Sequence, residues 1–117
     1  MRKGAVLLVL AILISLPFSA QAATTRATTA RPVLTFSGSR ANCSAYIFGN
    51  SSSDYIEATI KLWHETTCVK TWNVTGQHYI SFSETANATQ GNTYVLIVHW
   101  SLNGVRQTSE SVIKTYE

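Results

Sequence analysis

Three histidines, two cysteines and six carboxylates are the side chains of this 117-residue chain best suited to chemistry, and their spacing limits what they can do. A catalytic histidine needs a nucleophile and a carboxylate within reach. His64 has inward parity at the end of one strand-like run, and His99 has outward parity in another, so their rings do not converge; His78 lies in neither run. Asp54, Glu57, Glu65, Glu84, Glu110 and Glu117 are scattered, with no pair placed for acid–base work. Cys43 and Cys68 belong to no CxxC pair and have no histidine at ligand spacing, which argues against zinc. There is no glycine-rich phosphate loop. The expectation is a protein that is not an enzyme and needs no metal or cofactor.

The amino terminus sets the compartment. Arg2 and Lys3 precede an apolar run from Ala5 to Leu16, Pro17 breaks it, and Ala20-Gln21-Ala22 offers small residues for cleavage. Residues 1–22 therefore read as a secretory signal peptide. The run is shorter than the ~20 residues a spanning helix needs, so no stable membrane insertion is expected after cleavage. No anchor is expected beyond Glu117. Formal net charge is +3, but without Arg2 and Lys3 it falls to about +1. That leaves no clustered basic face for nucleic acid. In an exported chain, Cys43 and Cys68 are expected to form one disulfide. It would close a loop of about 25 residues, and the chain-entropy model gives such a loop roughly 3 kcal/mol. Two reduced thiols are the alternative.

Residues 23–31 are small and polar with no apolar period, and read as a flexible Thr/Ala/Arg leader; the folded domain is expected over 32–117. From there the pattern is period two. Val33–Phe36 and Cys43–Gly49 are short strands. Tyr55–His64 alternates most clearly, with Ile56, Ala58, Ile60 and Leu62 inward and Tyr55, Glu57, Thr59, Lys61 and Trp63 outward. Cys68–Val74 and Tyr79–Thr85 follow. Tyr94–Ser101 is a central strand, closed by Asn103-Gly104, a pair that favours positive φ at both turn residues. The last strand, Val105 to about Tyr116, has a polar middle on its inward face, so a bulge or register change is expected before Ile113. About seven short strands and no helical period make an all-β sandwich of antiparallel strands.

The stretch Ala88-Thr-Gln-Gly-Asn-Thr-Tyr94-Val-Leu-Ile-Val98 resembles the immunoglobulin-like sandwiches, the fibronectin type III kind in particular. The resemblance implies that Tyr94 forms a structural corner, its hydroxyl tied to nearby backbone. Antibody-type domains join their second and sixth strands by a disulfide; here Cys43 lies in the second strand and Cys68 opens the fourth, so the bond would tie the sheets near one edge, with Trp72 packed on it. Ile56-Glu-Ala-Thr-Ile-Lys-Leu62 and Val69-Lys-Thr-Trp72 also look like small secreted single-domain proteins of Gram-positive bacteria with no assigned activity.

The expected function follows from surface and compartment. The sheet built on the third, sixth and seventh strands would display Tyr55, Glu57, Lys61, Trp63, Val95, Ile97, His99, Arg106, Glu110 and Val112 outward. Tyr55, Trp63, Ile97, His99 and Arg106 form the candidate binding face, for a protein or glycan ligand. Tyr46 and Phe48 point outward on the other sheet. A secreted or cell-surface binding or adhesion module is the leading expectation. A small secreted effector, toxin-like or bacteriocin-like, is the alternative. Open sheet edges also allow a homodimer. Asn42, Asn50, Asn73 and Asn87 begin Asn-x-Ser/Thr triplets, which matter only where the secretory pathway adds glycans.

Overall fold

The computed structural model describes residues 29–117. The expected signal peptide and residues 23–28 of the leader lie outside the described residues. The fold is all β, with two antiparallel sheets packed face to face as a sandwich. Its strands are β1 (Thr29–Ser37), β2 (Arg40–Phe48), β3 (Tyr55–His64), β4 (Thr67–Gln77), β5 (Tyr79–Asn87), β6 (Thr93–Leu102), β7 (Val105–Arg106) and β8 (Glu110–Thr115). One sheet runs β1-β2-β5. The other runs β4-β3-β6, with β7 and then β8 on the far side of β6.

The alternating runs become strands because each has one face to bury. Ile47, Ile56, Ile60, Leu62, Leu96 and Val98 are fully enclosed between the sheets. Trp100, Phe82, Leu34 and Tyr94 complete the core. β1 begins four residues before Val33, where its apolar pattern starts. Thr29, Ala30 and Arg31 pair with Phe48, Ile47 and Tyr46, and Ala30 is buried, so a portion of the leader belongs to the sheet.

Asn103 and Gly104 take φ of 51° and 82°, the two-residue turn expected of Asn-Gly. Beyond it, Leu102 faces Val105 and Ser101 faces Arg106; further along, Val98 faces Glu110 and Leu96 faces Val112. One extra residue has entered between them, within Gln107–Ser109. This is the expected register change, and it splits the last strand in two. It also corrects the outward set: Val112 turns inward and packs against the core, Glu110 shares its parity, and Ile113 turns out, 67% exposed.

A second bulge overturns the disulfide. Leu62 faces Lys70 but Trp63 faces Cys68, so Val69 is an extra residue in β4. The slip flips Cys68 away from the face of Trp72 and onto the outer face beside Trp63. Cys43 is buried in β2 on the core side of the other sheet. The five-stranded sheet lies between the two sulfurs, and both cysteines are free. Trp72 packs instead against Phe82, ring centroids 5.2 Å apart and edge to face. Burial pushes the Cys43 thiol up to about 11, so it is neither exposed nor ionised. A thiol reagent at neutral pH is expected to label one cysteine per folded molecule, Cys68, and two after denaturation. No label without reductant would restore the disulfide.

Candidate functional site

The outer face of the five-stranded sheet is a grid whose rows follow from the registers. Trp63 stands between Cys68 on β4 and Val95 on β6, and Val95 is followed by Ile113 on β8. The next row is Thr71, Lys61, Ile97 and Ser111. The third is Asn73, Thr59 and His99, with Ser109 beyond it. The fourth is Thr75, Glu57, Ser101 and Arg106.

The candidate face therefore divides. Trp63 and Ile97 come together at an apolar end, where Val95 and Ile113 join them. His99 and Arg106 come together over a shallow polar depression of about 320 Å³, lined also by Glu57, Thr59, Asn73 and Ser101. Tyr55 joins neither group. It lies eight residues along β3 from Trp63, roughly 26 Å at ~3.3 Å per residue.

His99 Nδ1 and Ser109 Oγ lie 2.8 Å apart, a serine–histidine pair. Among the described residues no carboxylate hydrogen-bonds His99, so no third group orients the ring for nucleophilic catalysis. The pair holds the bulged segment onto β6. Trp100 does the same from below, its indole N–H donating to the Thr108 carbonyl at 3.1 Å. Across the depression, the Thr59 hydroxyl donates to Asn73 Oδ1 at 2.9 Å. Among the described residues no three His, Cys, Asp or Glu side chains gather to hold a metal ion.

At the start of β6 the Thr89 N–H donates to the Tyr94 hydroxyl at 2.9 Å, with Ala88 buried beside it. His64 packs on the same ring, centroids 5.3 Å apart. At the opposite end of the sandwich stands Asp54, a buried acid. Its carboxylate accepts from the Asn50 N–H (2.7 Å), the Ser51 N–H (2.9 Å), the Ser51 hydroxyl (3.2 Å) and Asn103 Nδ2 (2.9 Å). The Asn103 side chain, the strongest of these influences, together with the loop donors, holds the Asp54 carboxyl below its ordinary value.

Sequence reasoning missed Cys68 as a surface group, because no residue type announces the bulge at Val69; it expected the register change before Ile113 but still counted Val112, not Ile113, as outward. It also passed over Asp54, read only as one of six scattered carboxylates. The Ser51-Ser-Ser-Asp54 composition does signal side-chain capping of loop N–H groups, but not that Asn103 completes it.

No protein-family model matches the chain, and comparison with curated proteins finds no match either. The site is thus characterised by its own geometry.

Proposed function

We propose that this protein is a non-enzymatic binding module, secreted or held at the cell surface, that engages a protein ligand through the apolar end of its five-stranded sheet. The observation that carries the reading is the outward row Cys68–Trp63–Val95–Ile113, which crosses the whole sheet with Ile97 alongside and a polar depression at its border. An apolar centre with a polar rim is what a protein interface requires. Export rests on the Arg2-to-Ala22 segment of the sequence. The division of strands into β1-β2-β5 and β4-β3-β6-β7/β8, together with the Tyr94 hydroxyl on Thr89, supports a fibronectin type III-like sandwich.

The free edges argue for recognition by a face rather than by strand addition. β1 carries Pro32, which offers no N–H. β4 and β5 carry Lys70 and Glu84 at inward positions. On β8, Glu110 and Lys114 are likewise inward in register. Each device disfavours a foreign strand, and with it an edge-paired homodimer.

The test uses the mature chain, residues 23–117, and its Trp63→Ala variant as paired baits against cell-surface extracts. A protein captured by the first and lost by the second, with both baits equally folded by circular dichroism, is the expected outcome. Equal capture would remove Trp63 from the site. No capture, with growth inhibition or vesicle leakage by the pure chain, would replace the reading with the effector one.

A further inference from the structure

The opposite face of the molecule has a different chemistry. Of the seven large apolar side chains left exposed among the described residues, four lie on the smaller sheet: Val33, Tyr46, Phe48 and Tyr79. They are neighbours in register. Phe48 faces Tyr79 across the β2–β5 ladder, Tyr46 stands two residues along β2, and Val33 is diagonal to Tyr46 on β1. The Phe48 and Tyr79 rings are nearly parallel, 23° between planes and 6.4 Å between centroids.

The surroundings of these rings are hydroxyl-rich and carry charge of one sign. Ser81 faces Tyr46, and Ser44 and Ser83 pair in the next row. The outward positions of β1, β2 and β5 include no Asp or Glu; Glu84, the carboxylate on these strands, has inward parity. Arg31, paired with Tyr46, and Arg40, at the far end, carry the formal charge of the face.

The platform is also fixed in place. Tyr79 follows His78, which has φ of 73°, a left-handed conformation costly for a residue other than glycine. Three bonds hold it there: the His78 N–H donates to the Asp54 carbonyl (2.8 Å), the Gly49 N–H donates to the His78 carbonyl (2.8 Å), and His78 Nδ1 meets the Ser51 carbonyl at 3.1 Å. The His78 ring stands edge-on to Tyr79, centroids 6.0 Å apart. Rings set on two strands and locked by a loop lose little entropy on binding.

We infer that this aromatic and serine face of the β1-β2-β5 sheet binds an acidic polysaccharide. The half-exposed rings of Tyr46, Phe48 and Tyr79 offer apolar surface to the C–H faces of sugars. The serine hydroxyls meet sugar hydroxyls, and Arg31 meets a carboxylate on the chain. A protein interface is enriched in aromatic residues and arginine but poor in serine, so Ser44, Ser81 and Ser83 set among these rings suit a hydroxyl-bearing chain instead. Single-stranded nucleic acid also stacks on aromatic platforms, but it needs a groove of cations along its phosphates, and among the described residues of this face Arg31 is the lone cation beside the rings. A glycan whose carboxylates stand one or two sugar units apart matches that sparse charge.

The experiment is affinity electrophoresis of the mature chain in native gels containing hyaluronan, polygalacturonate, neutral dextran or oligothymidylate. Hyaluronan, polygalacturonate or both are expected to retard the protein more than dextran does, and less so as salt is raised. Tyr79→Ala is expected to weaken the effect about tenfold. Arg31→Gln is expected to reduce it to the dextran level, and this variant keeps the test open should the tyrosine change disturb folding. Trp63→Ala, on the other sheet, leaves retardation unchanged, which separates this site from the protein-binding face. Retardation by neither acidic glycan, full retardation of both Tyr79→Ala and Arg31→Gln, or stronger retardation by oligothymidylate would overturn the inference.

Discussion

Trp100→Ala is expected to unfold a large fraction of the protein. The indole is 5% exposed, sits opposite Ala58 on the inner face of β6, and donates to the Thr108 carbonyl. Emptying such a site costs about 3–5 kcal/mol. A domain of this size holds roughly 0.05–0.15 kcal/mol per residue in total. The loss is thus a large share of all the stability there is. It is also structural in a particular way, because Trp100 binds the bulged segment twice: through its indole, and through its carbonyl, which accepts from the Gln107 N–H at 2.9 Å. Trp100→Phe separates the contributions. It keeps most of the packing and removes the indole donor, so it is expected to cost about 1–2 kcal/mol and to raise hydrogen exchange in β8 more than in β3. Urea unfolding followed by circular dichroism reads both variants. A Trp100→Ala midpoint equal to that of the parent would remove Trp100 from the core.

The second large effect belongs to Asp54. Three connections meet at this residue: the β2–β3 loop through Asn50 and Ser51, the β4–β5 turn through the His78 N–H on its carbonyl, and the β6–β7 hairpin through Asn103. Asn103 is fixed in turn, since its Oδ1 accepts from the Tyr55 N–H at 2.8 Å. Asp54→Asn is expected to be nearly as damaging as Asp54→Ala, because both oxygens accept hydrogen bonds. An amide NH2 in either place would point a donor at a donor. The pH dependence has a definite sign. The folded carboxyl lies below its ordinary value of 3.8, so its contribution is fully present above that value and is lost as pH falls through the folded one. The midpoint of thermal unfolding should therefore drop below about pH 4 in the parent and lose that component of its slope in Asp54→Asn. An unchanged slope in the variant would show that other carboxylates set the acid limit.

Where the chain alternates without interruption, the structure could be read from it. β3 begins and ends where its pattern does, and Asn103-Gly104 turns as its residue types require. Reading failed where the period slipped. Counting in twos from Trp72 puts Cys68 on the core side, and counting from Val105 makes Val112 outward; a single extra residue reverses each. A bulge is fixed by what the neighbouring strand can pair with, and that partner is distant in sequence. The same reason hid the aromatic platform. Tyr46 and Phe48 are visibly outward on one strand, but Tyr79 reaches them because β2 pairs with β5, and β3 and β4 intervene in the chain. Asp54 was concealed differently: a buried acid satisfied by loop amides looks, as sequence, like any polar turn.

The strand layout also decides how the domain carries load. β1 enters beside Phe48, at the Asp54 end, and β8 leaves beside Thr93, at the Tyr94 end. Both strands run the same way, each along the margin of its own sheet, and the Tyr116 hydroxyl donates to the Gly38 carbonyl where they finish. A pull on Thr29 and Glu117 is directed along the strand axes. Ladder bonds lie across those axes, so the β1–β2 and β6–β8 ladders must slide as a set and cannot open bond by bond. A tether stressed end to end is thereby loaded in shear. Drawing the same domain by Thr29 and the Asn103–Gly104 tip, which lie at one end, would instead peel it like a zipper.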